Sequence, residues 1–127
     1  MVFKNKIWLV GGMDFEDIYK DVWQSEDGVN WVLADDNPPF SARQGFSALD
    51  YRGNLWVVGR LNTSEYGGGE NDIWYSPDGL KWEKTKQSPS WTGREDFAAV
   101  VFNEKIWILG GMDENWEWKN DVWSSEF

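Results

Sequence analysis

The chain has 127 residues, of which 41% are hydrophobic and 27% are charged, so it is long enough to bury the core of one domain. Its 22 acidic and 12 basic residues give a formal net charge of −10, which disfavours nucleic acid and anionic membrane surfaces as partners. The absence of cysteine and histidine excludes disulfides, thiolate metal sites and imidazole general bases. We therefore expect a soluble domain whose partners are neutral or basic, although the acidity is also explained by solubility alone.

The first residues carry lysines ahead of a short apolar run, as a signal peptide does. Nearly the same string recurs at residues 106–112, which indicates a strand of the fold instead. No stretch approaches the ~18 apolar residues that a membrane-spanning helix needs. These features predict no signal peptide and no transmembrane segment, and a cytoplasmic location by default.

One sequence unit occurs about two and a half times in the chain. The string Lys-Ile-Trp-Leu-Val-Gly-Gly at 6–12 returns in altered form at 54–60 and 105–111, so that Trp8, Trp56 and Trp107 are 48 and 51 residues apart. An Asp-Val-Trp or Asp-Ile-Trp element follows each copy, at 21–23, 72–74 and 121–123. A period near 50 residues is typical of kelch-type propeller blades and is longer than the ~40–45 residues of WD40 blades.

Two further elements occur twice. The pattern Ser-x-Asp-Gly-x-x-Trp stands at 25–31 and 76–82, and an arginine-containing element stands at 41–49 and 92–100. Asp27 and Asp78 are interpreted as turn formers whose carboxylates bind backbone amides, rather than as catalytic or metal-binding groups. The third copy stops before its own Asp-Gly element.

The repeat predicts an all-β fold with four antiparallel strands in a blade. Short apolar runs ending at glycine, such as residues 7–10, indicate strands that are buried on both faces. The Asp-φ-Trp elements, the segments after the Asp-Gly turns, and the small-residue runs 46–49 and 97–102 supply the other strands. We expect one domain over residues 1–127, with blade 1 at about 1–40, blade 2 at about 41–91 and an incomplete blade 3 at about 92–127.

These elements resemble the kelch family of β-propellers, specifically the bacterial-type repeats that carry Asp-Gly-x-x-Trp. The resemblance covers nearly the whole chain and rests on the glycine doublets 11–12 and 110–111, the strand tryptophans, Trp31 and Trp82, and Arg43 and Arg94. Arg60 departs from it, because it replaces the second glycine of the middle copy. The resemblance implies a propeller and leaves the activity open, since propellers host many functions.

Propellers close with typically four to eight blades, and this chain encodes about 2.5. An open array would leave apolar blade faces and strand edges in water, so we expect the edges at 1–3 and 124–127 to pair with another chain. A homodimer would close a six-bladed ring. The alternative is that the chain is an excised or decayed piece of a longer propeller.

Strand alternation places the loops between the second and third strands and the loops between blades on one face of the propeller, which we call the loop face. It carries residues 13–20, 35–40, 61–71, 88–91 and 112–119. Eight of the eleven tryptophans occupy repeat positions, and Trp91, Trp116 and Trp118 do not. Tryptophans among carboxylates suit stacking on sugar rings or on cationic groups. The candidate ligand-binding residues are Trp91, Trp116, Trp118, Asp14, Asp17, Asp113, Glu114, Arg43 and Arg94.

Three alternatives stand beside this hypothesis. Trp116 and Trp118 could instead fix their loop or enter a subunit interface, and Arg43 and Arg94 could be paired internally. The acidic loops show no spacing typical of a metal site, so we expect no metal and no cofactor. We expect a binding or scaffold module, with a protein or carbohydrate ligand, and no catalysis; the alternative is a fragment of a larger propeller enzyme of glycosidase type that uses loop carboxylates.

Overall fold

The computed structural model describes residues 1–59 and 71–126. Arg60, most of the predicted loop at 61–71 and Phe127 lie outside the described residues. The described part is all-β and contains three four-stranded antiparallel sheets, each built from consecutive segments of the chain. The predicted fold class is confirmed.

The three sheets correspond to three blades. In blade 1 the order is β1 (Val2–Phe3), β2 (Lys6–Met13), β3 (Ile18–Ser25) and β4 (Val32–Asp35). Blade 2 has β5 (Ser47–Tyr51), β6 (Asn54–Val58), β7 (Ile73–Ser76) and β8 (Glu83–Lys84). Blade 3 contains β9 (Arg94–Glu95), β10 (Ala98–Phe102), β11 (Lys105–Asp113) and β12 (Trp118–Ser124).

Blade 3 differs from the expected pattern. Its strand order is β10-β11-β12, and its fourth strand is not an outer one: the two-residue β9 pairs with the far end of β11, through Met112 with Glu95 and Asp113 with Arg94. This pairing is possible because β11 is nine residues long and extends past the end of β10. The connection between blades 2 and 3 is thereby held against the loop-face end of blade 3.

The Ser-x-Asp-Gly elements form tight turns, as predicted. The Asp27 carboxylate accepts hydrogen bonds from the backbone N–H groups of Val29 and Asn30, both at 2.8 Å, and the Ser25 hydroxyl accepts one from Gly28 N–H at 2.8 Å. These bonds hold the pKa of Asp27 well below its usual range, the Asn30 backbone bond contributing most. The same bonds recur around Asp78 in blade 2. Trp31 and Trp82 lie in these turns and not in the strands that follow.

Alternating strand residues point to opposite sides of a blade. We call the side that packs on the following blade the forward face and the other side the backward face. Trp8 and Val10 on the forward face of β2 share a core with Leu55 and Val57 on the backward face of β6. A second core joins the forward face of blade 2 to the backward face of blade 3, and it includes Trp56, Val58, Ile106 and Ile108.

Both outer faces of the three-blade array remain uncovered. Ile7 and Leu9, on the backward face of blade 1, are exposed although they are equivalent to the buried Leu55 and Val57. On the forward face of blade 3, Trp107 is half-buried and Leu109 is exposed. The array therefore ends in two apolar surfaces that correspond to the two halves of an internal junction.

Candidate ligand-binding site

The loop face is organised by aspartates at the tips of the two long hairpins. Asp14, between β2 and β3, accepts hydrogen bonds from the backbone N–H groups of Glu16 and Asp17 at 2.8 Å, and Tyr19 donates its hydroxyl to the same carboxylate. The Tyr19 bond is the largest cause that lowers the pKa of Asp14. Asp17 is exposed. Asp14 thus shapes the tip of its hairpin, and Asp17 is an exposed acid there that takes no part in the Asp14 carboxylate contacts beyond its backbone N–H.

Asp113 has the equivalent role between β11 and β12. It accepts hydrogen bonds from Asn115 and Glu117 N–H, and Lys119 Nζ lies 2.8 Å from its second oxygen. The Lys119 bond is the main cause that lowers the pKa of Asp113. The Asp113 carboxylate is buried and engaged within its own turn, so it supports the turn and does not reach a ligand directly. Glu114, next to it, is exposed.

This turn presents two tryptophans to solvent. Trp116 is 54% exposed and Trp118 is 70% exposed. Trp116 adopts φ = +61°, a left-handed conformation that is uncommon for a bulky residue. Such conformations persist only where surrounding contacts impose them, and they cluster at functional sites. The hydrogen bonds to Asp113 hold Trp116 in this conformation, and the Trp116 indole is exposed to solvent and does not pack in the core.

Arg43 and Arg94 are buried and serve the scaffold. Arg94 pairs with Asp121 through two bonds of 2.6 and 3.2 Å and donates to the carbonyl of Gly110. This pairing is the largest cause that lowers the pKa of Asp121 to about 2. Arg43 pairs in the same way with Asp72 at 3.0 Å. Both guanidinium groups are enclosed and paired internally, which was the alternative to the predicted ligand contact.

Trp91 is also enclosed. It is 4% exposed and lies in the core that joins blades 2 and 3. Its repeat equivalent is Phe40, which is buried in the other core and packs edge-on against Trp82 with ring centroids 4.9 Å apart. Trp91 therefore occupies a core position of the repeat, and its assignment as an exposed stacking residue is corrected.

A pocket of about 430 Å³ opens on the loop face where the two blade connections meet, and it was not foreseen from the sequence. Its lining includes Glu95, which is 9% exposed, and Gln44, which occupies the equivalent position one repeat earlier. Burial, followed by the nearby charge of Asp96, raises the pKa of Glu95. The only sequence signal for this site was that both residues directly follow the repeated arginines.

Among residues 1–59 and 71–126 there is no group of three or more aspartate and glutamate side chains arranged to hold a metal ion. In the same part of the chain, no helix has the length and apolar character needed to cross a membrane.

Comparison with known proteins places the repeat in a wider context. The family model described as DUF6242 beta propeller domain matches residues 3–127. Beta-scruin of Limulus polyphemus is 30% identical over 125 residues, which cover 91% of this chain and 13% of beta-scruin. The kelch repeat protein M-T8 of Myxoma virus (strain Lausanne) is 27% identical over 114 residues, covering 87% of this chain and 21% of M-T8. The chain is thus similar to a small part of each of these longer proteins.

Proposed function

Because the chain belongs to the DUF6242 beta propeller domain family, we propose that it is a non-catalytic binding module that self-associates and presents an acidic, tryptophan-bearing loop face to a protein or carbohydrate ligand. The observation that carries the binding function is the turn at Trp116. There the backbone holds a left-handed conformation, and two indoles are exposed beside acidic side chains.

The chemistry of this turn defines the ligand class. An exposed indole stacks on the apolar face of a sugar ring or on a cationic group, and carboxylates accept hydrogen bonds from hydroxyl or ammonium donors. Glu114 and Glu117 are exposed next to the two indoles, and Asp17 lies on the neighbouring hairpin of the same face. An anionic ligand is disfavoured by the same carboxylates and by the net charge of −10.

Self-association is supported by the complementarity of the two outer faces. The forward face of blade 3 offers Trp107 and Leu109, the equivalents of Trp8 and Val10. The backward face of blade 1 offers Ile7 and Leu9, the equivalents of Leu55 and Val57. Each face is therefore one half of the junction that already joins blades 1 and 2, and two copies placed head to tail bury both halves at each contact.

A glycine position identifies the surface that Trp107 covers in the proposed dimer. At the internal junction the Trp8 ring lies directly on the Gly79 turn, where an added Cβ would fall 2.2 Å from Trp8 Cζ3. The equivalent Gly28 has the same φ of +77° and meets only Ile7 Cδ1, at 3.4 Å. In the proposed dimer the Trp107 indole of one copy covers Gly28 of the other.

The ligand-binding part is tested with arrays of lysine-containing peptides and neutral oligosaccharides. Trp116→Ala and Trp118→Ala should each weaken binding of the captured ligand by about tenfold or more, since truncating a central aromatic anchor costs ~2 kcal/mol. Leu80→Ala is the matched control, because Leu80 is also exposed but lies in the turn at the opposite end of its blade. Trp116→Ala should unfold at nearly the wild-type urea concentration. Binding that is unchanged in both tryptophan variants would refute the loop-face function.

Sedimentation velocity at micromolar concentration tests the self-association. Wild type should sediment with twice the 14.8 kDa chain mass, whereas Leu9→Asp and Trp107→Asp should each be monomeric. Mixing the two variants should restore a dimer, because one contact then joins two unmodified faces. Loss of the dimer in only one variant would instead indicate a symmetric contact through that face, and a monomeric wild type would refute self-association.

A glycosidase is the second candidate because Glu95 is a buried carboxyl group whose pKa is raised, as a general acid requires. Incubation with a panel of chromogenic glycosides separates the two functions. Turnover that disappears in Glu95→Gln would replace the binding module by the enzyme.

A further inference from the structure

The pocket at Glu95 is built from two blade connections that hold one another. Gly45, in the first connection, accepts a hydrogen bond from Asp96 N–H in the second at 2.8 Å. A Cβ on Gly45 would lie 2.6 Å from Glu95 Cβ, so glycine at this position lets the second connection approach. Asp96 has φ = +54°, another left-handed residue at this crossing. Glu95 thus lies where the two connections cross.

The pocket contains hydrogen-bond acceptors that are not used within the described residues. Within residues 1–59 and 71–126 the Glu95 carboxylate makes no hydrogen bond or ion pair, although the residue is only 9% exposed. The Oε1 atom of Gln44 is also buried without a hydrogen-bond partner. An unpaired buried acceptor costs free energy, so Gln44 Oε1, beside a carboxylate that has no partner within the described residues, favours a donor that arrives from outside.

We propose that this pocket binds the ammonium group of a lysine side chain from a partner protein. The inference deepens the proposed binding function by naming the group that the loop face receives, and it rests on that function. The acceptors are the Glu95 carboxylate and Gln44 Oε1, with the exposed Asp96 carboxylate at the rim. An ammonium group supplies three donors and a positive charge, which matches two carboxylates and an amide oxygen.

The walls of the pocket favour lysine over the other common ammonium source, an amino sugar. Met13 and Phe46 line it beside the acidic groups, and Gly12 leaves one side without a side chain. Apolar side chains beside carboxylates suit a lysine, whose methylene groups are buried against the apolar side chains while its ammonium group pairs with the carboxylates. An amino sugar would place hydroxyl groups against these same apolar walls, without partners.

The charged groups around Glu95 predict how this residue affects stability. The groups that act on it are Asp96, which repels its charge, and Arg94, whose guanidinium is engaged with Asp121 and does not relieve it. A carboxyl group whose folded pKa is raised makes folding less favourable as pH rises above its ordinary value of 4.5. Glu95→Gln should therefore unfold at a higher urea concentration than wild type at pH 7. A residue retained for packing or structural pairing would show the opposite shift.

The probe is a pentalysine peptide with blocked termini, titrated by calorimetry against its fully Nε-acetylated form. Wild type should bind the unmodified peptide, and acetylation should abolish binding. Glu95→Gln should weaken binding about tenfold or more, as expected when one member of a desolvated charge pair is removed. Glu16→Gln is the matched control: Glu16 is exposed on the same face and does not line the pocket, so this variant removes one negative charge there and should change affinity by about twofold or less.

Three other outcomes decide against the proposal, and a fourth separates it from the proposed function of the tryptophan turn. Equal losses in Glu95→Gln and Glu16→Gln would mean non-specific attraction to an acidic surface. Binding of glucosamine oligomers in place of the peptide would assign the pocket to an amino sugar. A lower urea midpoint in Glu95→Gln would make Glu95 a structural residue. Peptide binding that is lost in Glu95→Gln but kept in Trp116→Ala would preserve the pocket while refuting the role of the tryptophan turn, so the two hypotheses fail separately.

Discussion

Trp8 and Trp107 occupy the same position of the repeat, yet Trp8 is buried against the Gly79 turn and Trp107 is half-buried on an outer face. The indole N–H of each donates to a backbone carbonyl five residues earlier, Phe3 and Phe102 respectively, so the local geometry is the same in both blades. The difference comes from the neighbour: blade 2 covers blade 1, and no described residue covers blade 3. In a propeller, local sequence sets where a side chain points, and the adjacent blade sets whether it is buried.

The largest expected difference between the covered and the uncovered blade surfaces is at the equivalent glycines Gly79 and Gly28. Gly79→Ala should destabilise the protein by about 2–4 kcal/mol, because the new methyl group collides with the Trp8 ring in addition to the strain of a positive φ. Gly28→Ala has the same backbone strain without the collision and should cost about 1 kcal/mol. Urea unfolding of both variants, monitored below the concentration at which the chain self-associates, measures the difference. Equal costs would mean that Trp8 moves aside freely.

The tryptophans themselves should differ in the same direction. Trp56→Ala removes a buried indole that packs on Tyr51 and Tyr75, and it should cost about 3–5 kcal/mol. Trp107→Ala should cost only about 1–2 kcal/mol in the monomer, because part of its apolar surface is already in water. Thermal and urea unfolding at low protein concentration check both values. If the two variants are equally unstable when monomeric, then the outer face of blade 3 is covered by something within the chain.

The smallest expected effect is on the stability of the protein at low pH. The Arg94 pairing holds the pKa of Asp121 at about 2, so Asp121 contributes stability above its unfolded value near 3.9 and loses it as pH falls towards 2. The Asp121 side chain is 37% exposed, and screening should reduce the contribution to under about 1 kcal/mol. The urea concentration at the midpoint of unfolding should therefore fall less steeply between pH 5 and pH 2 in Asp121→Asn than in wild type. Parallel curves would mean that the ion pair adds nothing.

The fold was predictable because its determinants are local and repeated. The glycine doublets, the Ser-x-Asp-Gly turns and the strand tryptophans each indicate a defined piece of backbone, and their register gave the kelch-type propeller that the family match confirms. The turn interpretation of Asp27 and Asp78 was also correct, since an aspartate before glycine binds the amides that follow it.

The site was less predictable because accessibility depends on contacts between blades. No tryptophan occupies the position equivalent to Trp91 in the first repeat, so the repeat pattern alone does not place Trp91 in the core. Phe40 nevertheless holds the same core position with a different aromatic ring. The spacing of Arg94 from Asp121 repeats that of Arg43 from Asp72 to within two residues, a signal that could have identified the ion pairs. Apart from its position after a repeated arginine, nothing in the sequence distinguishes Glu95 from the many exposed acids, because its burial arises where two distant connections cross.

Each blade is built from consecutive segments of the chain paired in antiparallel ladders, which include the short hairpins β1–β2, β5–β6 and β10–β11. Ladders of this kind close small loops and can form early, whereas the tryptophan-on-glycine contacts require whole sheets to dock. The kinetic barrier to folding is then expected at sheet docking. Synthesis from the N-terminus delivers blade 1 before the blade that covers Trp8, so the growing chain carries an uncovered indole until residue 79 has emerged.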